Sequence, residues 1–300
     1  MPEHGIDWLS REELMSYEEM LRICTMLVKS DIEKIRITGG EPFARKDIMS
    51  FFHALSRIDG LNELTLTTNG VLTAPYIPEL KKLGVKSVNL SLDTLDRNKF
   101  FSITHRDELP AVLETLEQLL YHGIQVKLNT VVMDGRNTDD ILPIVGLTKE
   151  LPISVRFIEE MPFNGDSHQY QSLSWDYIRV LNTIKKEHPE MAKLQDAAYS
   201  TSYNYYIPGH KGSIGLIAAY TRSFCGTCNR IRITPQGTLK TCLYDNGVMN
   251  VRDLMREGLS DTAIEKQLLS ALGNRAKDGW IAEKNRANKP VHESMSTIGG

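Results

Sequence analysis

The sequence predicts an α/β protein whose N-terminal half is a partial (β/α) barrel of the TIM type. Strand and helix patterns alternate between about residues 33 and 158, and strands joined by helical crossovers pair in parallel. Each strand pattern is apolar on one face and polar on the other, whereas a doubly wound sheet has nearly continuous apolar strands. The alternation fades after about residue 162, so we expect two regions, 1–162 and 163–300.

Periodicity and capping signals locate the elements. Ser16 and Glu19 have the spacing of a capping box, and apolar residues at helical period then predict a helix over about 17–29. Five strands are predicted near 33–38, 62–67, 86–92, 125–132 and 153–158. The helices between them are predicted near 46–57, 77–83, 110–122 and 137–149. Later elements are a helix over 175–187, strands near 203–207, 213–219, 230–234 and 238–241, and a helical tail over 250–275.

The polar faces of the strands favour a barrel over an open sheet. Alternate residues such as Leu64 and Leu66 form an apolar set that would face the helices, while Arg36, Lys127 and Arg156 belong to the polar set. A barrel turns such a face inward, where it can bind a ligand near the C-terminal ends of the strands. An antiparallel sheet with one solvated face is the alternative.

Charge and composition restrict the partners. The 300 residues carry a formal net charge of −3, which gives no overall attraction to nucleic acid or to an anionic membrane. No apolar run reaches the roughly 20 residues that cross a bilayer, and the first residues lack the pattern of a secretory signal. We therefore expect a cytoplasmic protein without nucleic-acid or membrane partners.

Three of the four cysteines are grouped near the C-terminus. Cys225 and Cys228 are separated by two residues, and Cys242 follows after thirteen more, so these thiolates can share one metal centre. An iron–sulfur cluster held by three cysteines keeps one iron open for a ligand, whereas structural zinc takes four protein ligands. The spacing leaves both centres open. Cys24 lies alone in the first helix pattern and is expected to pack as a small apolar residue.

Two arginines after the cysteine pair can bind phosphate. Arg230 and Arg232 flank Ile231 on a strand pattern, so both guanidinium groups share one face and can bind phosphate oxygens in bidentate fashion. A solvated strand face is the ordinary alternative. The polar strand faces of the barrel would extend this cationic lining to the size of a triphosphate, with Arg36, Lys127 and Arg156.

The first strand pattern ends in the segment Gly39-Gly40-Glu41-Pro42. Two glycines let a ligand approach the backbone closely, and Glu41 could neutralise a ligand ammonium group. By itself the segment is equally compatible with a plain strand-to-helix turn.

Four segments taken together resemble one family. They are Gly39-Gly40-Glu41-Pro42, Ser91-Leu92-Asp93-Thr94, Arg156-Phe157-Ile158-Glu159 and the run from Cys225 to Gly237; the ending Met295 to Gly300 matches as well. The combination resembles the radical S-adenosylmethionine GTP 3′,8-cyclases of molybdenum cofactor biosynthesis over essentially the whole chain. The resemblance implies a partial barrel followed by a C-terminal iron–sulfur cluster domain.

The resemblance also implies roles for individual residues. S-adenosylmethionine contacts fall on the segment Gly39-Gly40-Glu41-Pro42, with Gly40 at the amino group, and on Ser91 and Met161. GTP contacts fall on Arg36, Thr67, Lys127, Arg230, Ile231 and Arg232. A 4Fe-4S cluster whose open iron holds the guanine falls on Cys225, Cys228 and Cys242. A tail ending in Gly299 and Gly300 would enter the active site beside the catalytic Arg230 and Arg232.

The implied reaction starts with reductive cleavage of S-adenosylmethionine. The resulting deoxyadenosyl radical takes the 3′ hydrogen of the GTP ribose, and the sugar radical attacks C8 of guanine to form 3′,8-cyclo-7,8-dihydroguanosine 5′-triphosphate. The family further implies an electron donor, cyclic pyranopterin monophosphate synthase as the next enzyme, and a homodimer.

One motif of the family has no counterpart in the sequence. Radical S-adenosylmethionine enzymes bind an N-terminal 4Fe-4S cluster through C-x3-C-x2-C, and in this family its last cysteine directly precedes a Met-Pro segment like Met1-Pro2. We therefore expect a fragment or a gene start at an internal methionine, which an in-frame C-x3-C-x2-C upstream of Met1 would support. The 300-residue chain is then expected not to cleave S-adenosylmethionine, and deoxyadenosine formation by it would contradict this.

Two other interpretations of the sequence stay open. The chain could be a non-catalytic homologue that only binds nucleotide, or a barrel stabilised by zinc. Iron, sulfide and zinc analysis after anaerobic purification separates the cluster from the zinc site.

Overall fold

The structure, a computed structural model, describes residues 10–161 and 173–285. The helices of this part are α1 (Tyr17–Lys29), α2 (Ile48–Leu55), α3 (Ile77–Lys82), α4 (Arg97–Thr104), α5 (Leu109–Tyr121), α6 (Ile141–Glu150), α7 (Tyr177–Glu187), α8 (Val251–Arg256), α9 (Asp261–Gly273) and α10 (Gly279–Asn285). The strands are β1 (Lys34–Ile37), β2 (Glu63–Thr68), β3 (Ser87–Ser91), β4 (Gln125–Val132), β5 (Ser154–Glu159), β6 (Ala192–Lys193), β7 (Tyr203–Tyr206), β8 (Ser213–Ile217), β9 (Arg232–Ile233), β10 (Thr238–Lys240) and β11 (Met249–Asn250).

Most of the strands form one eight-stranded sheet in the order β1-β2-β3-β4-β5-β8-β7-β6. The pairings from β1 through β5 to β8 are parallel, and β7 and β6 continue the sheet in antiparallel fashion. The prediction of a partial (β/α) barrel is confirmed, and the antiparallel alternative is wrong because helical crossovers connect successive parallel strands.

The apolar strand faces pack against the helices as predicted. Leu66, Leu90, Leu128 and Val155 are fully buried in one core cluster, which also contains apolar residues of helices α2, α3, α5 and α6. Burial of this face leaves the opposite set of side chains on the inside of the curled sheet. The period-two alternation therefore decides which residues are available to a ligand.

A second core joins the first helix to the C-terminal region. Ile23 and Met26 of α1 pack with Leu239 of β10 and with apolar residues of α8 and α9. The helix starts as predicted, since the Ser16 hydroxyl accepts a hydrogen bond from the Glu19 amide at 3.1 Å and the Glu19 carboxylate accepts one from the Ser16 amide at 2.7 Å. The small sheet β11-β10-β9 is thus held against the N-terminal helix.

One helical prediction needs correction, and two helices, α4 and α10, were not predicted. The tail expected over 250–275 is two helices, because Gly258 adopts a left-handed φ of 84° after α8 and the Ser260 side chain caps α9. Helix α4 was missed because its residues are weakly amphipathic. It begins at Arg97, after the N-cap residue Asp96, whose side chain accepts a hydrogen bond from the Lys99 amide.

The boundary expected near residue 162 stays a prediction. Strands β6, β7 and β8 lie beyond it in the sequence but extend the same sheet as β5. Among the helices of the described ranges, none is both long enough and apolar enough to cross a membrane.

Candidate functional site

Three cations from separate strands meet inside the barrel. Arg36 lies on β1, Lys127 on β4 and Arg156 on β5. In a flat sheet β1 and β5 would be about 19 Å apart, which is four spacings of about 4.8 Å. The pKa of Arg156 is nevertheless lowered by burial first and then by the charge of Arg36. The curl of the sheet therefore brings these side chains together.

Burial and repulsion lower the pKa of each of these groups. The pKa of Arg36 falls to about 10 through burial, with the charge of Arg230 adding repulsion, and that of Arg156 also falls to about 10. The pKa of Lys127 falls to about 8, again through burial first and the charge of Arg156 second. A bound polyanion would oppose these shifts, because an opposite charge favours the protonated cations.

The interior contains polar atoms that lack partners. Within the described residues, the Nε atoms of Arg36 and Arg156 and the Oδ1 atom of Asn129 are buried without a hydrogen bond. Leaving such a group unpaired costs roughly 1–3 kcal/mol. Donors and an acceptor that are buried but unused are expected where a ligand supplies the missing partners.

Arg230 and Arg232 join Arg36, Lys127 and Arg156 in one group of cations, called the cationic cleft from here on. Burial lowers the pKa of both, and the charge of Arg230 lowers that of Arg232 further. Their strand is shorter than predicted, since β9 contains only Arg232 and Ile233. Ile231 packs against the second core, as the alternation predicted, so the arginines point the other way.

The orientation of Arg230 depends on a residue that the sequence did not suggest. Its Nη2 atom donates a hydrogen bond of 2.6 Å to the hydroxyl of Thr201. Thr201 is buried, and it precedes β7 in a turn 29 residues earlier in the chain. No local pattern links the two residues, because only the pairing of β7 with β8 brings that turn to the cleft.

The three C-terminal thiols lie beside these arginines and near one another. The Cys228 and Cys242 charges oppose the fall in the pKa of Arg232 that burial causes. Burial raises the pKa of Cys225 and of Cys242, and neighbouring thiols raise both further. The Cys242 sulfur accepts a hydrogen bond of 3.5 Å from the Tyr244 amide.

These thiols do not form a compact single-ion site. In the part of the chain that the structure describes, three His, Cys, Asp or Glu side chains nowhere come together closely enough to hold one metal ion. Thiolates on one zinc would lie about 3.8 Å apart, given Zn–S bonds of about 2.3 Å in a tetrahedron. Thiolates on a cubane cluster bind different irons and lie farther apart.

The Gly39-Gly40-Glu41-Pro42 segment is anchored by its own carboxylate. Glu41 accepts hydrogen bonds from the Thr68 hydroxyl at 2.9 Å, the Asn69 amide at 2.8 Å and the Phe43 amide at 3.2 Å. Gly39 has a φ of 144°, which favours glycine. The carboxylate thus ties the loop after β1 to the end of β2, a role that sequence reasoning did not assign.

The remaining predicted residues lie around the same end of the barrel. Thr67 of β2 accepts a hydrogen bond of 3.2 Å from the Asn89 amide group, and Ser91 ends β3 with its side chain exposed. Met161 packs near Cys242 and Tyr244. Gly299 and Gly300 lie outside the described residues.

One buried carboxylate connects this end of the barrel to the cysteine segment. Glu159, at the end of β5, accepts hydrogen bonds from the amides of Tyr177, Tyr220 and Thr221 at 2.8–2.9 Å. Tyr177 begins α7, whereas Tyr220 and Thr221 lie just before the Cys225 turn. Glu159 belongs to a motif that was singled out in the sequence, but its role becomes visible only from its distant partners.

Comparison with protein families matches both parts of the chain. A family model described as Radical SAM superfamily matches residues 3–147. A second, described as Molybdenum Cofactor Synthesis C, matches residues 153–280.

Relatives with established names match over nearly the whole chain. "GTP 3',8-cyclase" of Peptoclostridium acidaminophilum is 41% identical over 302 residues, covering 100% of this chain and 90% of the relative. The mitochondrial GTP 3',8-cyclase of Arabidopsis thaliana is 37% identical, covering 100% of this chain and 76% of the relative. "Molybdenum cofactor biosynthesis protein 1" of Homo sapiens is 37% identical, covering 97% of this chain and 46% of the relative. The chain therefore spans about half the length of this last relative.

Solved structures share the fold. SuiB of Streptococcus suis, solved with S-adenosylmethionine, superposes with a TM-score of 0.61 at 16% identity, covering 94% of this chain and 62% of SuiB. Native anSMEcpe with bound AdoMet gives a TM-score of 0.55 at 14% identity, covering 91% of this chain and 74% of that protein. At such low identity these likenesses show the fold alone.

Proposed function

Because the chain belongs to the GTP 3′,8-cyclase family of radical S-adenosylmethionine proteins, we propose that its cationic cleft binds GTP for conversion to 3′,8-cyclo-7,8-dihydroguanosine 5′-triphosphate in molybdopterin biosynthesis. One observation carries this proposal. Arg36 and Arg156 are partly buried cations whose Nε atoms are buried and unpaired, among the described residues, beside Arg230 and Arg232. A triphosphate supplies both the charge and the acceptors that these groups lack.

The family uses a 4Fe-4S cluster and S-adenosylmethionine, and the thiols of this chain suit one such cluster. Cys225, Cys228 and Cys242 influence one another electrostatically, so they lie near enough to share one centre. We take this centre to be a cluster rather than zinc because the family uses one. When bound, the cluster would offer an open iron to the guanine. Arg230 and Arg232 stand between these thiols and the barrel cations, so they would hold the phosphates while the base reaches the cluster.

The family's N-terminal 4Fe-4S cluster is bound by a C-x3-C-x2-C motif, which does not occur in the 300 residues of the sequence. Cys24, the one other cysteine of the sequence, packs against the apolar core from α1, and burial raises its thiol pKa to about 12. We derive no step through that cluster. The loop Gly39-Gly40-Glu41-Pro42, Ser91 and Met161 are proposed to bind S-adenosylmethionine, since the first two border the open end of the barrel and Met161 packs beside the cysteine segment.

Binding of GTP by the anaerobically reconstituted chain tests the proposal. Isothermal titration is expected to give one saturable site for GTP and weaker binding for ATP, which shares the triphosphate but presents a different base edge. Absence of saturable GTP binding up to about 1 mM, the upper range of ordinary substrate constants, would overturn the proposal.

Thr201→Val is expected to weaken GTP binding about fivefold. The substitution removes a hydrogen bond that orients Arg230, and such a bond contributes about 1 kcal/mol. Thr201→Ser keeps the hydroxyl and serves as the matched control. Equal affinity of the valine variant and the wild type in titration calorimetry would show that Thr201 does not orient the arginine.

GTP affinity is expected to fall as the pH rises above about 8, and Lys127 is the reason. Its pKa is lowered to about 8 in the folded protein, so above that pH it is neutral and must take up a proton to pair with phosphate. Titration at pH 7 and pH 9 in buffers of different ionisation enthalpy measures this uptake. Lys127→Met should abolish the uptake, whereas Lys86→Met, an exposed control, should leave it intact.

The remaining partners follow from the family and stay proposals. They are an electron donor, cyclic pyranopterin monophosphate synthase as the next enzyme, and a second copy of the chain. A cytoplasmic location is also proposed. A homologue that only binds nucleotide would give the same titrations but no cyclised product once a reducing cluster is available.

A further inference from the structure

We propose that Arg222 is a positioning residue for the three-cysteine centre. Its buried guanidinium lies between the rings of Tyr244 and Trp280 and so fastens three separate segments to one another: the Cys225 turn, the Cys242 loop and helix α10. This inference rests on the proposed function, because it takes the three cysteines to be cluster ligands.

Both faces of the guanidinium are covered. The Cζ atom of Arg222 lies 3.6 Å from the ring centroid of Tyr244 and 4.1 Å from that of Trp280. Arg222 is only 6% exposed, although Trp280 on its outer side is 54% exposed. Water is therefore largely excluded from the cation, and cation–π attraction is strongest where the cation is desolvated.

The backbone of Arg222 belongs to the turn that presents Cys225. Its carbonyl accepts a hydrogen bond of 3.1 Å from the Cys225 amide, and its own amide donates one of 2.8 Å to the Ala218 carbonyl. Arg222 has a φ of 56°, an uncommon conformation for a residue other than glycine. The stacked Arg222 side chain and the hydrogen-bonded turn before Cys225 therefore fix each other's position.

The first stacking partner fixes the second cysteine segment. Tyr244 follows Cys242 by two residues, and its amide is the donor to the Cys242 sulfur. The hydroxyl of Tyr244 donates a hydrogen bond of 2.7 Å to the Ala219 carbonyl, two residues beyond the end of β8 on the way to Arg222. The ring is therefore held at both ends while the guanidinium packs on its face.

The second stacking partner brings helix α10 against the cysteines. Nη1 of Arg222 donates to the Gly279 carbonyl at 3.1 Å and to the Glu283 carboxylate at 2.8 Å. A Cβ atom added to Gly279 would lie 3.1 Å from the Cys225 sulfur and equally close to Arg222 and Tyr244. The start of α10 therefore packs directly on the Cys225 thiol.

The cation also suits the charge of the centre. Thiolates bring negative charge into a partly buried site, and hydrogen bonds and nearby charge tune the potential of such clusters. Partners behind metal ligands commonly change metal affinity by 10- to 100-fold when they are removed. Arg222 supplies both effects, a fixed cation and the contact that holds two ligand segments together.

The test compares cluster retention in four variants with the reconstituted wild type. Arg222→Gln is expected to lose iron to a chelator about tenfold faster and to change the electron paramagnetic resonance spectrum of the reduced cluster. Trp280→Ala, at an exposed position, should lose iron faster than wild type, and Trp280→Phe should restore retention because it keeps a ring face. Arg179→Gln is the matched control. Arg179, on α7, has its Cζ atom 4.1 Å from the ring centroid of Trp175, away from the cysteines.

Each outcome has a distinct meaning. Wild-type retention and spectrum in Arg222→Gln and Trp280→Ala would overturn the inference while leaving the proposed function intact. A wild-type protein that binds no iron would instead overturn the cluster assignment. If Arg222→Gln does not fold, the comparison of Trp280→Ala with Trp280→Phe tests the inference. Equal iron loss in these two variants would show that stacking of Arg222 on the ring of residue 280 does not hold the cluster.

Discussion

Replacing Arg156 with methionine is expected to weaken GTP binding about 100-fold while it stabilises the ligand-free protein. Loss of a charge-assisted hydrogen bond to phosphate accounts for the first effect, since such a bond contributes about 1.5–3 kcal/mol. The second effect follows from the lowered pKa of Arg156, about 10, which shows that the folded state disfavours the charged form. At neutral pH the charge therefore opposes folding until a ligand neutralises it.

Calorimetric titration and thermal unfolding measure the two effects on the same samples. The melting temperature of the free variant should rise, and GTP should raise it further by less than in the wild type. Arg57→Met removes an exposed arginine just after the end of α2 and should change neither quantity. Lower stability with unchanged affinity would show that Arg156 is structural and that the anion lies elsewhere.

Replacing Cys242 with serine is expected to abolish stable cluster binding. Wild-type protein reconstituted under anaerobic conditions should contain about four irons, and the variant should lose most of them on desalting because two thiolates cannot hold a cubane. GTP affinity should fall as well, since the base loses its anchor. Iron and sulfide analysis with visible absorbance gives the readout.

A matched control for this change exists within the chain. Cys24→Ala removes a thiol that packs in the helical core and should leave the iron content unchanged. One zinc per wild-type chain in place of iron would contradict the cluster and favour the zinc-stabilised barrel. Full iron retention in Cys242→Ser would show that this residue is not a ligand.

The sequence predicted the barrel because its signal is local. Alternation with period two distinguishes Leu66 and Leu128, which pack under helices, from Arg36 and Lys127, which point inward. Capping by Ser16 could be read for the same reason, since all its atoms lie within one turn. The split of the C-terminal helical tail at Gly258 was missed because a single glycine is tolerated inside many helices.

Motif spacing alone placed Cys225, Cys228 and Cys242 in one group, and the alternation around Ile231 placed Arg230 and Arg232 on one face. What the spacing left open was the kind of centre. The fold adds that Cys228 and Cys242 lie close enough to Arg232 to act on its charge, and this proximity depends on where the small sheet packs.

The sequence by itself determined the parallel αβ architecture, the inward set of cations and the three-cysteine group, because each depends on residues close together in the chain. Only the tertiary structure decided that Thr201 orients Arg230, that Glu41 holds its own loop and that Arg222 is stacked between Tyr244 and Trp280. These contacts join residues up to 58 positions apart, as between Arg222 and Trp280. No periodicity encodes such pairs, since they form only when the curled sheet and its C-terminal segments have packed.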